Sequence, residues 1–154
     1  MKVSVIGMGY VGLSNAVLLS LKNNVVCHDI DTSKLECINK RISPIKDSLI
    51  TSYFKNKKLK LTTSDYIDNE IAMSDFILIA TPTDLNSKKN IFSTSSIDVI
   101  LKKLNSLKSS ACIVIKSTLP IGYTKKVNHL YKKLKIYFSP EFLREGSALY
   151  DNLY

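Results

Sequence analysis

Short unbroken apolar runs alternate along the chain with stretches whose apolar residues recur every three to four positions. Lys2–Ile6 reads as a short buried strand. Residues 13–22 follow as a helix, with Leu13, Val17, Leu18 and Leu21 on one face and Asn23-Asn24 at its end. Residues 25–28 are a second strand, closed by Asp29-Ile30-Asp31. Ser33-Lys34-Leu35-Glu36 has the pattern of a capping box and opens a second helix, which Ser43-Pro44 breaks. Asp31, nearby, is the better candidate for the cap itself. Residues 47–57 read as a helix with Leu49, Ile50, Tyr53 and Phe54 on one side, and residues 59–62 as a third strand.

A polar stretch precedes residues 75–80, a fourth strand expected to be fully buried. Residues 84–95, rich in Asn, Ser and Lys, read as a loop. Ile97, Ile100, Leu101, Leu104 and Leu107 give a helix, residues 111–115 a fifth strand, and Gly122 a turn. Val127, Leu130, Tyr131 and Leu134 mark the last helix, before a sixth strand at residues 136–138. Apolar strands alternating with helices imply a parallel sheet covered on both faces. The class is α/β: a Rossmann-type, doubly wound parallel sheet of about six strands in the order 3-2-1-4-5-6.

At 154 residues the chain is one domain's worth, spanning residues 1–154, with no internal repeat and no linker to a second domain. Its 45% hydrophobic and 23% charged residues exclude disorder, collagen and mucin-like stalks. No apolar run approaches the roughly 20 residues of a membrane helix, and the start lacks a signal-peptide pattern. Cys27, Cys37 and Cys112 form no Cys-x-x-Cys, and His28 and His129 lie far apart, so neither zinc nor a disulfide framework is expected. The cysteines read as small buried hydrophobes in a reducing cytoplasm. The net charge of +9 raises nucleic-acid binding as a reading. The lysines, however, fall as scattered pairs without interleaved aromatics, the pattern of a solvated surface with a mild attraction for anions.

Gly7-x-Gly9-x-x-Gly12 follows a strand and opens a helix, and Asp29 ends the next strand, 17 positions after Gly12. That context points to a dinucleotide. Gly7 permits the turn, Gly9 clears the approach of a pyrophosphate, and Gly12 lets the helix pack on the strand. The helix start offers free N–H groups and partial positive charge. Asp29 suits ribose hydroxyls and repels a 2′-phosphate, favouring NAD over NADP; Lys34 softens that exclusion. Three further strand tips are polar: Thr81-Pro82-Thr83, Ser117-Thr118-Leu119-Pro120-Ile121-Gly122 and Ser139-Pro140-Glu141-Phe142-Leu143-Arg144-Glu145. If residue 142 onward is helical, Glu141 and Glu145 share one face. The same residues are also compatible with ordinary turns and solvated carboxylates, and the glycine loop with a non-catalytic nucleotide-sensing module.

Gly7-Met8-Gly9-Tyr10-Val11-Gly12-Leu13, Ala80-Thr81-Pro82-Thr83, Lys116-Ser117-Thr118-Leu119-Pro120-Ile121-Gly122 and Ser139-Pro140-Glu141-Phe142-Leu143-Arg144-Glu145-Gly146 together resemble the UDP-glucose/GDP-mannose dehydrogenase family. The ending Ala148-Leu149-Tyr150-Asp151-Asn152-Leu153-Tyr154 resembles its short bacterial members. The resemblance implies oxidation of a nucleotide sugar's C6 alcohol to a carboxylate with two NAD, through a thioester on a cysteine. The implied sugar is UDP-glucose, with GDP-mannose and UDP-N-acetylmannosamine as alternatives. It implies that Gly7, Gly9, Tyr10, Val11, Gly12, Asp29 and Lys34 hold the ADP half of NAD. Thr83 and Thr118 would lie near the nicotinamide, and Thr118 would also hold a catalytic water. Glu145 would assist thioester hydrolysis near the cofactor. Glu141, Phe142, Leu143, Arg144 and Glu145 would touch the sugar, Glu141 with a catalytic part. Family members are more than twice as long. They carry a central helix that forms a homodimer, and a second domain with a lysine and the nucleophilic cysteine. None of the three cysteines here lies in the Gly-Phe-Gly-Gly-x-Cys-type motif that carries that nucleophile, so the chain resembles the NAD-binding domain alone, without turnover of its own.

Overall fold

Six strands pair in one parallel sheet of order β3-β2-β1-β4-β7-β8 in the computed structural model, which describes residues 1–83, 85–86 and 91–154. The sheet strands are β1 (Lys2–Ile6), β2 (Asn24–His28), β3 (Leu61–Ser64), β4 (Phe76–Ile79), β7 (Cys112–Ile115) and β8 (Lys135–Phe138). Counting these six alone, the order is the doubly wound 3-2-1-4-5-6. A two-stranded antiparallel ribbon, β5 (Leu85–Asn86) and β6 (Ile91–Phe92), stands where a plain loop is expected. Residues 84 and 87–90 of that stretch lie outside the described residues.

One face of the sheet carries α1 (Tyr10–Ser20), α2 (Thr32–Asn39), α3 (Ser48–Asn56) and α7 (Ala148–Leu153). Val3, Val5, Leu13, Val17, Leu35, Ile50 and Leu149 form the core there. The other face carries α4 (Asn69–Ala72), α5 (Ser95–Ser106) and α6 (Tyr123–Leu130), packed on Ile77, Ile79, Ile113, Ile115 and Ile136.

Several boundaries differ from the periodicity, each for a local reason. Helix α1 begins three residues early, because Gly9 itself is its N-cap. Helix α2 is capped by Asp31, whose side chain accepts the Ser33 N–H, so the Ser33–Glu36 box does not form. The helix stops at Asn39, where Arg41 turns to φ +59, before reaching Ser43-Pro44. Strand β3 lies two residues later than expected: Leu59 is buried but outside it, and the ladder aligns Val25 with Leu61. The polar stretch hides α4, capped by Asp68 onto the Ile71 N–H. Helix α6 ends at Leu130, which is exposed, while Leu134 reaches the core from the following turn.

Strand β4 is not fully buried. Ile77 and Ile79 are buried, while Phe76 and Leu78 on the opposite side are only half-buried. Helices α1–α3 and α7 cover β1–β3, and no described helix lies beneath β4, β7 and β8 on that side.

Candidate functional site

Because the sheet is parallel, the tips after Ile6, His28, Ser64, Ile79, Ile115 and Phe138 share one edge, where α/β sheets bind ligands. The glycine loop crosses this edge. Gly7 takes φ +98, and its N–H donates to the His28 carbonyl at 2.8 Å. A Cβ on Gly7 would lie 2.5 Å from the Ala80 carbonyl oxygen, and one on Gly12 only 1.7 Å from the Gly7 oxygen. A Cβ on Gly9 would meet nothing within 4 Å. Two glycines are thus required by the protein's own backbone, and the third faces open space at the start of α1. That helix has no acidic residue in its first turn and no side-chain cap, so its first N–H groups point outward.

Asp29 sits beside this opening, only 8% exposed. Its carboxylate accepts the Met8 N–H at 2.6 Å and the Asp31 N–H at 2.9 Å, and the Lys34 ammonium stands 3.6 Å away. The tip of β2 is therefore tied directly to the glycine loop. A carboxylate has about four acceptor positions, so a hydroxyl can still be accommodated. Asp31 is fully solvated, and the Ser33 hydroxyl holds its carboxyl below the usual range.

A cleft of about 690 Å³ opens from the loop and Asp29. Ile30 (94% exposed), Ile67, Val99 and Ile100 supply its apolar walls, and Asp65, Tyr66 and Lys103 its polar ones. These residues escaped sequence reasoning. The readable signal was Ile30, an isolated apolar residue between two aspartates at a strand tip.

The β4 and β7 tips are joined to each other. The Ser117 hydroxyl donates to the Thr81 carbonyl at 2.7 Å, and Thr81 Oγ1 lies 3.0 Å from Ser96 Oγ. Thr83 is half-buried and Thr118 exposed, both at the same edge. Gly122, at φ +83, turns the chain into α6. The Tyr123 hydroxyl donates to Asp98 at 2.7 Å; burial and this bond push its pKa well above the normal range.

The third tip departs from expectation. Residues 142–146 are not helical, so Glu141 and Glu145 do not share a helix face. Backbone donors take side-chain acceptors instead. The Leu143 N–H donates to Glu141 Oε2 at 2.8 Å, and the Arg144 N–H to Asp151 Oδ2 at 2.8 Å. The Arg144 guanidinium spans both Asp151 oxygens, at 2.6 and 3.2 Å. Glu145 is exposed, as is Phe142 at 92%. Helix α7 is fastened behind this segment: the Leu149 N–H reaches Asp47 Oδ2 at 3.3 Å, and Asn152 donates to Ser14 Oγ at 2.9 Å. Ser14 in turn donates to the Val11 carbonyl.

Cys27 is fully buried, and burial pushes its thiol up to about 12. Cys37 and Cys112 are half-buried rather than buried. No cysteine lies among the residues lining the cleft. Among the described residues no helix is long and apolar enough to cross a membrane.

Comparison with known proteins agrees with this geometry. The family model described as "UDP-glucose/GDP-mannose dehydrogenase family, NAD binding domain" matches residues 1–154. The UDP-glucose 6-dehydrogenase of Campylobacter jejuni is 48% identical over 156 residues, covering 100% of this chain and 40% of that protein. That of Streptococcus pneumoniae is 46% identical over 154 residues, covering 100% of this chain and 39% of that protein. The chain thus spans about two fifths of the length of these relatives. A GDP-mannose dehydrogenase from Pseudomonas aeruginosa, crystallised as a ternary complex, superposes with a TM-score of 0.84 at 22% identity. That match covers 99% of this chain and 38% of the other, and it speaks for the fold.

Proposed function

This chain belongs to the UDP-glucose/GDP-mannose dehydrogenase family as its NAD-binding domain, and on that premise we propose that it is the cofactor half of a UDP-glucose 6-dehydrogenase. The observation that carries this reading is the contrast within the loop. Gly7 and Gly12 are closed in by backbone, whereas the space above Gly9 is empty and faces the start of α1.

NAD bound here supplies the hydride acceptor for oxidation of the sugar's C6 alcohol. The N–H groups of Tyr10, Val11 and Gly12, with the α1 dipole, receive the pyrophosphate over Gly9. Asp29 accepts the adenosine ribose hydroxyls. Its two backbone bonds keep it from swinging aside for a 2′-phosphate, and its pairing with Lys34 occupies the cation that would otherwise attract one, which selects NAD against NADP. The apolar walls at Ile30, Ile67 and Val99 suit an adenine ring. The nicotinamide end runs toward Thr83 and Thr118, with Thr118 also placing a water. Glu141, Phe142, Leu143 and Arg144 form the sugar-side edge, and Glu145 serves thioester hydrolysis. The cysteine nucleophile and lysine come from the polypeptide that the longer relatives carry, in a homodimeric enzyme. This chain alone binds NAD without turnover.

Calorimetry with NAD, NADP, ATP and S-adenosylmethionine tests the site. NAD binds tightest, and Gly9→Val lowers its affinity by about 100-fold, or ~2.7 kcal/mol, with the fold intact. Equal binding of ATP or S-adenosylmethionine would restore the nucleotide-sensor reading. Sustained reduction of NAD on adding UDP-glucose would contradict the claim that the second half is required.

A further inference from the structure

One buried side chain at the cleft floor has an atom without a partner. The ladder sets Ile6, His28 and Ser64 abreast, so the three side chains project on the same side of the sheet. On that side His28 is only 6% exposed, lining the cleft with Ile6, Ile67 and Ile100. Its Nδ1 lies 2.9 Å from the Ser64 carbonyl oxygen. A carbonyl only accepts, so Nδ1 carries the hydrogen. The Ser64 hydroxyl donates to the Tyr66 carbonyl at 2.8 Å and fixes the turn after β3. With Nδ1 so committed, Nε2 of the neutral ring is a lone-pair acceptor. Among the described residues nothing bonds Nε2, and no enclosed side-chain nitrogen lacks a partner, so Nε2 is open to the cleft.

The other polar side chains of the cleft are placed differently. Asp65, Tyr66, Ser95 and Lys103 are exposed at its rim. The hydroxyls of Thr81 and Ser96 face each other at 3.0 Å. Asp29 accepts two backbone N–H groups and pairs with Lys34. His28 therefore sets one oriented acceptor into an apolar floor. Such an acceptor favours a ligand that brings an N–H to it, and disfavours one that brings a second lone pair. Apolar walls with a single acceptor suit a flat base bearing an exocyclic amine. Adenine carries hydrogens at that position, and hypoxanthine carries an oxygen.

We propose that His28 reads the base of the dinucleotide, its Nε2 accepting a hydrogen from the exocyclic amine of adenine. The cleft then selects adenine against a purine with oxygen in that place. This rests on the cofactor reading of the glycine loop and adds a base-selecting residue to it.

Calorimetry at about pH 8, above the range in which free imidazole titrates, compares NAD with two analogues. One is nicotinamide hypoxanthine dinucleotide; the other is etheno-NAD, whose amine is closed into a ring. NAD is expected to bind about tenfold tighter than either. His28→Asn keeps an N–H for the Ser64 carbonyl but has no acceptor where Nε2 stands. It is expected to erase the preference, NAD falling to the level of the analogues, while melting near the parent chain. His28→Gln, whose amide oxygen reaches the Nε2 position, keeps part of the preference. A side chain that only staples β2 to β3 would leave the ratio unmoved in both variants. Equal affinities in the parent chain, or a preference that survives His28→Asn, overturn the role of His28. Gly9→Val tells the two readings apart. If that variant loses NAD, the pyrophosphate site stands whatever the base ratio shows. If its NAD affinity is untouched, the cofactor site falls and this proposal with it.

Discussion

The glycine loop and the segment at residues 139–147 lie at the same edge of the sheet and are built in opposite ways. The loop is shaped by exclusion: backbone lies where side chains on Gly7 and Gly12 would be, and Asp29, one strand away, ties it down. The second segment and the helix after it are held by side chains from outside the segment. Lys116 reaches Ser139, Asp151 grips Arg144, and Asp47, 102 residues away in sequence, takes the Leu149 N–H. A site made by local exclusion is ready before any ligand arrives. A site hung between β8 and α7 goes wherever α7 is seated.

The sharpest test of this contrast is Gly12→Ala set against Gly9→Val. The new Cβ at residue 12 meets the Gly7 oxygen at 1.7 Å, and backbone must move. That overpacking costs about 3 kcal/mol or more. In a chain of this size the melting temperature falls by roughly 6–12 °C. Gly9→Val, facing open space, keeps its melting temperature and loses NAD. Equal thermal losses in the two variants would show that residue 9 is as crowded as residue 12.

Asp47→Ala comes next. Asp47 is buried, caps α3 through the Leu49 and Ile50 N–H groups, and holds α7 through Leu149. Losing the cap costs about 1 kcal/mol, and an unsatisfied buried N–H adds about 1 kcal/mol or more. Urea titration is expected to show a loss of roughly 2 kcal/mol, with NAD affinity within twofold of the parent chain. A parallel fall in NAD affinity would join the two regions into one unit.

The same division explains what could be read from the sequence. The sheet order and the loop with Asp29 were legible, because periodicity and glycine spacing are local signals. Ile30 stood out only as an odd apolar residue, and the walls it forms with Ile67 and Val99 depend on three separate segments meeting. The fate of residues 142–146 was illegible for a related reason. A helix there competes with acceptors on Glu141 and Asp151, and the second is presented from α7, whose seating depends on Asp47 and Ser14 far away in sequence. Strand β4 reads as fully buried because its composition is apolar on both sides; nothing local says that Phe76 and Leu78 stay only half-buried.

Asp29→Ala probes the carboxylate that ties the loop to β2 and pairs with Lys34. The substitution frees the Met8 N–H and removes the ribose acceptor while leaving Gly7 and Gly12 in place. NAD affinity is expected to fall about tenfold, or ~1.4 kcal/mol, and the margin over NADP to narrow because Lys34 is released. An unchanged NAD-to-NADP ratio would remove Asp29 from ribose selection.

The smallest effect belongs to Asp151→Asn, and its pH dependence makes it decisive. The Arg144 side chain and N–H hold the Asp151 carboxyl below its usual value of 3.8. A carboxyl whose folded pKa is lowered contributes stability above its unfolded pKa and loses it as pH falls through the folded one. The pair is solvent-accessible, so the contribution is small and screened by salt. The parent chain is therefore expected to melt slightly above Asp151→Asn at neutral pH, and the two curves to converge below about pH 4. NAD affinity stays equal throughout, because the contact belongs to the suspended segment and not to the loop. A gap that persists in acid would mean that the uncharged Asp151 carboxyl still holds Arg144 through hydrogen bonds that the amide does not match, and the contact would not be ionic.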